Sequence, residues 1–307
     1  MSHVRDLSDV KNNGPTVLTI GSFDGVHLGH QALVSDMVES SRRNNFQSVV
    51  LTFYPNPAVV LGRYSSSSYI HRPEEKATFL MDMGIDWVVT MNFDRALAKV
   101  TATDFIVQLR ETLDFRQLWC GENFAFGYDR EGNTEWLAQN SDTLGFELNV
   151  ANSVEEDSVA VSSSRVRNHI SVGEVSAAAR CLGRPLRVPG IVIQGAGRGE
   201  SIGFPTANLS IWSHRTCPSQ GVYLAYAFVD DDKYPAVVNI GRRPTFEDED
   251  DCIIVEAHLL KYQGNLYGKR ISLDFVDRLR DERKFTSLEH LVSQIYKDVS
   301  EASLRLV

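Results

Sequence analysis

The sequence predicts two domains of different class, an N-terminal α/β domain with a parallel sheet followed by an all-β barrel with a terminal helix. The chain has 307 residues, more than a single hydrophobic core usually accommodates. As far as about residue 150, short β-branched runs alternate with segments of helical character, a pattern typical of parallel strands joined by helices. After about residue 183, strand-like runs follow one another closely, as they do in antiparallel barrels.

The N-terminal strands and helices alternate along the chain. Each strand-like run is short and apolar or β-branched, and the segment after it has the spacing of a helix. The candidate strands are TVLTI, SVVLTF, WVVTM, RQLWC and FELNV, and helices are expected to begin near His30, Pro73, Thr103 and Glu131. This order predicts crossover connections on a parallel sheet.

A domain boundary is expected where a helical stretch, 162–182, ends at a group of helix breakers. The breakers are Gly183, Pro185, Pro189 and Gly190. We therefore predict domains at 1–182 and 183–307. In the second domain, LRVPGIVIQ, GVYLAYAFV, AVVNI, IIVEAHLL and ISLDFV are strand-like, and the stretch 288–306 has the spacing of a helix that packs across them.

Composition and charge restrict the classes of function. A formal charge of -9 argues against a general electrostatic hold on nucleic acid or on an anionic membrane. The N-terminus is polar and no apolar run reaches the length of a membrane span, so we expect a soluble cytoplasmic protein, a monomer or weak homo-oligomer, that acts on small molecules. The four cysteines include no CxxC pair, which indicates neither a zinc site nor a disulfide framework.

The segment TVLTIGSFDGVHLGHQALV combines a strand, a glycine-rich turn and the start of a helix. A helix start offers unpaired N–H groups and a positive potential that favour phosphate. His27 and His30 can donate to phosphate oxygens and stabilise charge that builds there during transfer. A lone HxxH is more often packing or a metal pair, but the neighbouring residues favour phosphate binding. The candidates beside the histidines are Gly21, Phe23, Asp24, Gly25 and Gly29.

The segment VSSSRVRNHI places three hydroxyls and two arginines before and within a predicted helix. Hydroxyl and guanidinium groups suit phosphate binding. Serine is also a common helix N-cap, and for the segment alone that interpretation is favoured. Together with the histidine motif, the segment indicates a second phosphate-binding element formed by Ser163, Ser164 and Arg167.

An early HxGH and a late SSxxR in one α/β domain resemble the nucleotidyltransferase superfamily, and GSFDGVHLGHQ is similar to bacterial FAD synthetases. The resemblance implies a Rossmann-like domain that transfers AMP from ATP to FMN, with Mg2+ on the polyphosphate. The residues that it assigns to ATP are His27, His30, Ser163, Ser164 and Arg167, with Asn123 of GENFAFG in the nucleotide and flavin site.

Two positions depart from that family's pattern. Asn56 of TFYPNP stands where relatives usually have histidine, and Ala125 of FAFG where they usually have arginine. An amide still forms hydrogen bonds but carries no charge. The methyl side chain of alanine offers neither a hydrogen bond nor a charge. Loss of one charged contact typically costs about 1.5–3 kcal/mol, which slows transfer or weakens binding without abolishing it.

The second domain carries GRGESIGFPTANL and VEAHLL. The Thr206 hydroxyl and the Asn208 amide oxygen are hard ligands that suit Mg2+, and glycine backbone at Gly197 and Gly203 can cradle phosphates, although an ordinary turn explains such a segment equally simply. Glu256 interrupts an apolar run. It is either a general base for an attacking hydroxyl or a strand residue that faces solvent, and the pattern favours neither.

The ordered strings GFPTAN, GVY, NIGxxPT, VExHLL and LYGK resemble riboflavin kinase over nearly all of 183–307. The resemblance implies a Greek-key barrel, ATP and Mg2+ at Thr206 and Asn208, Glu256 as base and the 5′-hydroxyl of riboflavin as acceptor. Pro205 and Asn239 belong to the same motifs and are further candidates for ATP binding.

Both halves together predict a bifunctional enzyme that converts riboflavin to FMN and FMN to FAD, with ATP as co-substrate. One alternative is a riboflavin kinase whose first domain no longer adenylylates, which Asn56 and Ala125 favour. A second alternative is a flavin-binding protein without catalysis, and a third is an adenylyltransferase that uses another phosphate acceptor.

Overall fold

The computed structural model describes residues 1–62, 69–195, 199, 202–243 and 252–306. Candidate Gly197 lies outside the described residues. The chain divides into two compact units, Met1–Ser163 and Ser164–Val307. The expected boundary after residue 182 stays a prediction.

The first unit contains a six-stranded parallel sheet in the order β1-β4-β3-β2-β5-β8. The five predicted strands are all present. A sixth, β1, was missed because it has three residues in a polar segment. The strands are β1 Ser2–Val4, β2 Thr16–Ile20, β3 Gln47–Tyr54, β4 Trp87–Asn92, β5 Phe115–Gly121 and β8 Glu147–Ala151, and two short hairpins pair β6 Ala125–Phe126 with β7 Gly132–Asn133 and β9 Glu155–Glu156 with β10 Val159–Ala160.

Helices cover both faces of this sheet. The helices are α1 Leu28–Asn44, α2 Pro57–Val60, α3 Pro73–Asp82, α4 Ala102–Leu113 and α5 Thr134–Leu144. Alternate strand residues point to opposite faces, so Leu18 packs with α4 and α5 while Val17 packs with α1 and α3. The α/β class is confirmed. The helix expected near Glu131 begins three residues later because a 3-10 turn, Tyr128–Arg130, precedes it.

The second unit contains a closed antiparallel barrel in the order β11-β12-β15-β14-β13-β16. Three consecutive strands form a meander and β16 returns beside β13, which is a Greek key and confirms the predicted barrel. The short polar strand β12 was not among the predicted strands. The strands are β11 Leu186–Ile193, β12 Ala207–Ser210, β13 Gly221–Val229, β14 Asp232–Arg243, β15 Cys252–Leu259 and β16 Arg270–Arg280.

Helices α6 (Ser163–Ser171) and α7 (Val175–Leu182) precede the barrel, and α8 (Leu288–Leu306) follows it. The terminal helix packs Ala302 and Leu306 against the outer face of the barrel, as predicted. No helix in the described part of the chain is long and apolar enough to cross a membrane.

The cysteines whose side chains are described, Cys120, Cys181 and Cys217, are free thiols. Burial raises the pKa of Cys120 and of Cys217 to about 11. Both groups are therefore protonated and weakly nucleophilic at neutral pH, in line with a structural role.

Candidate active sites

A cavity of about 1050 Å3 opens in the first unit at the carboxyl ends of β2, β3 and β5. Strand β2 lies between β3 and β5. The chain adds β3 and β4 on one side of β2 and then adds β5 and β8 on its other side, so the strand order reverses at β2. Open parallel sheets bind ligands at such a switch point. The sequence-predicted residues that line the cavity are Gly21, Phe23, His27, Gly29, His30 and Asn123.

The two histidines lie together at the start of α1. His27 is the N-cap, its Nδ1 accepts a hydrogen bond from the His30 N–H at 3.4 Å, and the two rings stack with centroids 3.7 Å apart. A Cβ on Gly29 would lie 3.3 Å from the His27 ring. Because Nδ1 of His27 is an acceptor, the neutral ring carries its proton on Nε2, where it can be donated.

The turn before α1 has an unusual backbone. Phe23, Gly25 and Val26 adopt φ of 48°, 83° and 41°, the left-handed region that β-branched residues such as valine strongly disfavour. For the non-glycine residues Phe23 and Val26, such conformations cost about 1–3 kcal/mol each and persist only where surrounding contacts impose them. The turn Ser22–Val26 is therefore held in place by its neighbours.

Hydrogen bonds from two distant parts of the chain hold this turn at Asp24. The Asp24 carboxylate accepts from the backbone N–H groups of Ile70 and His71, and Ser163 Oγ donates to the Asp24 carbonyl at 2.8 Å. Asp24 is 3% exposed. Asp24 and Ser163, which the sequence suggested as phosphate ligands, thus support the backbone of the turn.

Asn56 and Ala125, the two positions that depart from the expected family pattern, both line the cavity. Asn56 caps α2, and its Oδ1 accepts from the Ala58 N–H at 2.9 Å. This bond uses the amide oxygen and leaves the amide nitrogen as the group for a ligand. Ala125 lies in the short hairpin that follows β5.

Cationic and aromatic side chains complete the lining of the cavity. Phe124 stacks on Phe126 with centroids 5.3 Å apart, an arrangement that suits a planar aromatic ligand. The cations are Arg95, Lys99 and Arg130. Sequence analysis missed them because they belong to no motif. Lys99 and Arg130 lie in two short 3-10 turns, and Arg95 lies two residues before the first of these turns.

Ser164 and Arg167 belong to the second unit, on α6. The Arg167 guanidinium donates to Ser164 Oγ at 3.4 Å. The spacing of three residues puts both side chains on one face of the helix, so the late serine and arginine act as a pair.

In the barrel, three motif residues form one row across adjacent strands. Glu256 of β15 lies directly opposite Asn208 of β12 on one side and Asn239 of β14 on the other. All three are partly exposed, while their strand neighbours Val255 and Ala257 are buried. Since alternate strand residues face opposite sides, the row lies on the outer face of the barrel. The carboxylate of Glu256 therefore points away from the apolar interior, an orientation that the sequence pattern had left open.

The loop before β12 is also held in place. Pro205 offers its carbonyl to Nδ1 of His258 at 2.8 Å, and the ring of Phe204 meets the imidazole edge-on. Gly203 has φ +85°, which glycine tolerates best. Thr206 is two residues before Asn208, so both can face the same side.

Thr206 and Asn208 have glycine backbone against them. A Cβ on Gly195 would overlap the Asn208 amide, and one on Gly199 would lie 3.3 Å from Thr206 Oγ1. No group of three His, Cys, Asp or Glu side chains suited to a metal occurs among the described residues. Two neutral oxygens fit a Mg2+ ion that takes its other ligands from phosphates and water.

Glu282, which follows β16, is a carboxylate that sequence analysis missed. A Cβ on Gly241 would lie 3.1 Å from Glu282 Oε1 and 3.7 Å from the Asn239 amide nitrogen. The acid therefore lies over β14 beside the end of the polar row. Gly241 also lines a second cavity of about 440 Å3 together with Cys217 and Ile253. The loop sequence RDERKF contains no periodicity that could have indicated this position.

Comparison with known families agrees with the division into two kinds of site. Residues 9–165 match the family model described as FAD synthetase, and residues 182–306 match the one described as riboflavin kinase. The first match contains the cavity of the parallel sheet, and the second contains the polar row of the barrel.

Relatives match nearly the whole chain. A bifunctional riboflavin kinase/FMN adenylyltransferase of Pseudomonas fluorescens is 35% identical over 98% of this chain and 97% of its own length, and one of Escherichia coli K12 is 34% identical over 96% and 94%. A crystal structure described as a macrolide-efflux protein from Streptococcus pneumoniae superposes with a TM-score of 0.91 at 29% identity, covering 98% of both chains. The chain belongs to the family of bifunctional riboflavin kinase/FMN adenylyltransferases.

Proposed function

We propose that the two units catalyse successive reactions on one flavin. The barrel transfers the γ-phosphoryl group of ATP to riboflavin, and the first unit transfers AMP from a second ATP to the FMN formed, with release of pyrophosphate. The observation that carries this proposal is the row of Asn208, Glu256 and Asn239, residues distant in sequence that lie directly opposite one another. Family membership in both halves supports the same pair of reactions.

In the kinase reaction, Glu256 is the general base. Its carboxylate accepts the proton of the riboflavin 5′-hydroxyl as that oxygen attacks the γ-phosphorus and ADP leaves. Asn239 and Asn208 flank the carboxylate and orient it and the polyphosphate. Thr206 and Asn208 supply the oxygen ligands for Mg2+, which when bound neutralises charge on the phosphates.

In the adenylyl transfer, a phosphate oxygen of FMN attacks the α-phosphorus of ATP and pyrophosphate leaves. No covalent intermediate with the protein is needed, so positioning and stabilisation of charge provide the catalysis. His27 and His30 donate to the phosphates at the positive end of α1. Ser164 and Arg167 of α6 are further candidates for binding phosphate, and Asn123 contacts the nucleotide or flavin.

A kinase that no longer adenylylates is the second candidate. Asn56 favours it, because the amide oxygen already caps α2, and Ala125 favours it because alanine offers no polar contact. The histidine pair at the helix start opposes it. Three cations that line the same cavity also oppose it, namely Arg95, Lys99 and Arg130. They provide positive charge for a phosphate in place of the arginine that relatives usually have at position 125.

The experiment is incubation of the purified chain with riboflavin, ATP and Mg2+, with FMN and FAD separated by chromatography. Glu256→Ala and His30→Ala serve as reciprocal controls. We expect FAD from the unaltered chain, no FMN from Glu256→Ala, and FMN without FAD from His30→Ala. FMN alone from the unaltered chain would favour the kinase-only alternative, and no product from folded protein would favour a flavin-binding role.

A further inference from the structure

Lys76, on α3, is a buried cation that the proposed chemistry does not use. The residue is 6% exposed. Its ammonium group donates to the carbonyl oxygen of Ser22 and to Oγ1 of Thr52, each at 2.7 Å. Burial of an ammonium is costly unless its hydrogen bonds are satisfied, so these two acceptors account for its presence inside the unit.

The Ser22 carbonyl, at the start of the strained turn, accepts two hydrogen bonds from side chains. Thr52 Oγ1 also donates to it, at 3.0 Å, so Lys76 and Thr52 converge on the same oxygen. The next residue, Phe23, is the first of the three residues with positive φ in this turn, and Val26 is the last. Ser22 itself lines the cavity, as do His27 and His30.

We propose that Lys76 is a positioning residue for adenylyl transfer: its ammonium group anchors the Ser22 carbonyl and so holds the turn Ser22–Val26 and the two histidines in the geometry that stabilises charge on the phosphates during transfer. This inference rests on the proposed adenylyltransferase function of the first unit. The lysine acts through the turn and contacts no substrate.

The charge of the lysine, more than its volume, explains why this residue is useful here. An apolar side chain of the same length would fill the space without the cost of burying a charge. Burial lowers the pKa of Lys76 to about 8, with Asp24 opposing the shift and Arg5 adding to it. At neutral pH the group is therefore mostly protonated and holds the carbonyl by charge-assisted hydrogen bonds.

A purely structural role makes a different prediction from a positioning role. If Lys76 mainly stabilises the fold, its replacement by methionine lowers the stability of the first unit. If it positions the turn, the same replacement leaves stability equal or higher, because the cost of the buried charge disappears, while adenylyl transfer slows.

The test compares Lys76→Met and Thr52→Val with a matched control, Lys11→Met, whose lysine is exposed. Each variant receives FMN and ATP, and kcat and KM are measured for FAD formation. Small misplacements of reacting groups cost about 100-fold in rate, and we expect a loss of that order in kcat for Lys76→Met, with little change in the KM for ATP. Thr52→Val should show a smaller loss and Lys11→Met none.

Phosphorylation of riboflavin by the same variants is an internal control, because it depends on the other unit. We expect it to be unchanged, and we expect thermal unfolding to begin no earlier than in the unaltered chain. A normal kcat for FAD formation in Lys76→Met would overturn the proposal, as would a slow variant whose first unit is less stable. If the unaltered chain forms no FAD, the proposed function itself fails, and the role of Lys76 fails with it.

Discussion

The two candidate sites are built in opposite ways. In the first unit, the site depends on an irregular turn with left-handed residues, held by hydrogen bonds from other parts of the chain. In the barrel, Asn208, Glu256 and Asn239 lie on regular strands, and the register of the ladder alone brings them together. The barrel site needs no strained backbone at its central residues.

This difference predicts which substitutions should impair each site. A site that relies on a strained turn is sensitive to substitutions behind it, at residues that never touch the substrate. A site that relies on strand register tolerates changes behind it but is sensitive at the row itself, because each side chain there has a direct role. Substitutions in the two units should therefore differ in which kinetic constant they change.

The largest effect is expected at the row. Asn208→Ala removes an oxygen ligand proposed for Mg2+, so phosphorylation of riboflavin should fall about 100-fold at low Mg2+, as expected for loss of a transition-state contact. Part of the loss should be recovered at high Mg2+, which a titration of the initial rate checks. Equal loss at all Mg2+ concentrations would mean that Asn208 acts on the reactants and not on the metal.

The second prediction concerns Asn56 and Ala125. Restoring the residues usual in the family, with Asn56→His and Ala125→Arg together, should increase kcat/KM for FAD formation by about 10-fold, since one charged contact is worth roughly 1.5–3 kcal/mol. Steady-state kinetics with FMN and ATP provides the measurement. No gain would indicate that Arg95, Lys99 or Arg130 already supplies the charge.

A smaller effect is expected from Glu282. Gly241→Ala would place a Cβ 3.1 Å from its Oε1 and displace the carboxylate from its place over β14. We expect the KM for riboflavin to increase by a few-fold, roughly the 1 kcal/mol of one hydrogen bond, and Glu282→Gln to have a similar effect. If only Gly241→Ala changes the KM, the added methyl group, and not the carboxylate, is responsible.

The smallest effect concerns stability and pH. The pKa of Lys76 is about 8 in the folded chain, below its ordinary value. Below pH 8 the lysine is protonated in both states and its burial costs stability. As pH rises above about 8, the folded chain releases this proton while the unfolded chain keeps it, so the folded state gains stability.

Lys76→Met lacks this titration. Its advantage in stability over the unaltered chain should therefore shrink as pH rises from about 8 towards 10, by on the order of 1 kcal/mol. The difference is measured by urea unfolding of both chains at several pH values, with hydrogen exchange in the first unit as the readout. An advantage that grows with pH would contradict the direction of the shift.

The sequence predicted the elements of the first site because its motif is local. His27, Gly29 and His30 lie within one turn of a helix, so strand, turn and helix patterns sufficed. The support of the turn could not be predicted, since Lys76 lies 54 residues from Ser22 and contacts it only after α3 has packed on the sheet. The hydrogen bonds of Asp24 and Ser163 with the backbone around the turn were likewise not evident from the motifs, and their assignment to phosphate stays a prediction.

The barrel was predicted as a class but its row was not. Identifying Glu256 did not reveal its neighbours, because loops of unknown conformation separate the strands and register is a tertiary property. Strand β12 was missed for a related reason. Its four residues, ANLS, are short and polar, and they are a strand only because β11 and β15 pair with them.

The support of the turn also determines when the first site can form during synthesis. Ser163, which bonds to Asp24, lies 139 residues after it. At roughly 5–20 residues per second, Asp24 is added to the chain about 7–28 seconds before that serine. A nascent chain therefore displays the histidine motif well before its site is complete. A ligand that binds only the folded form stabilises that form alone, so nucleotide that needs this turn stabilises the first unit only after Ser163 has been added.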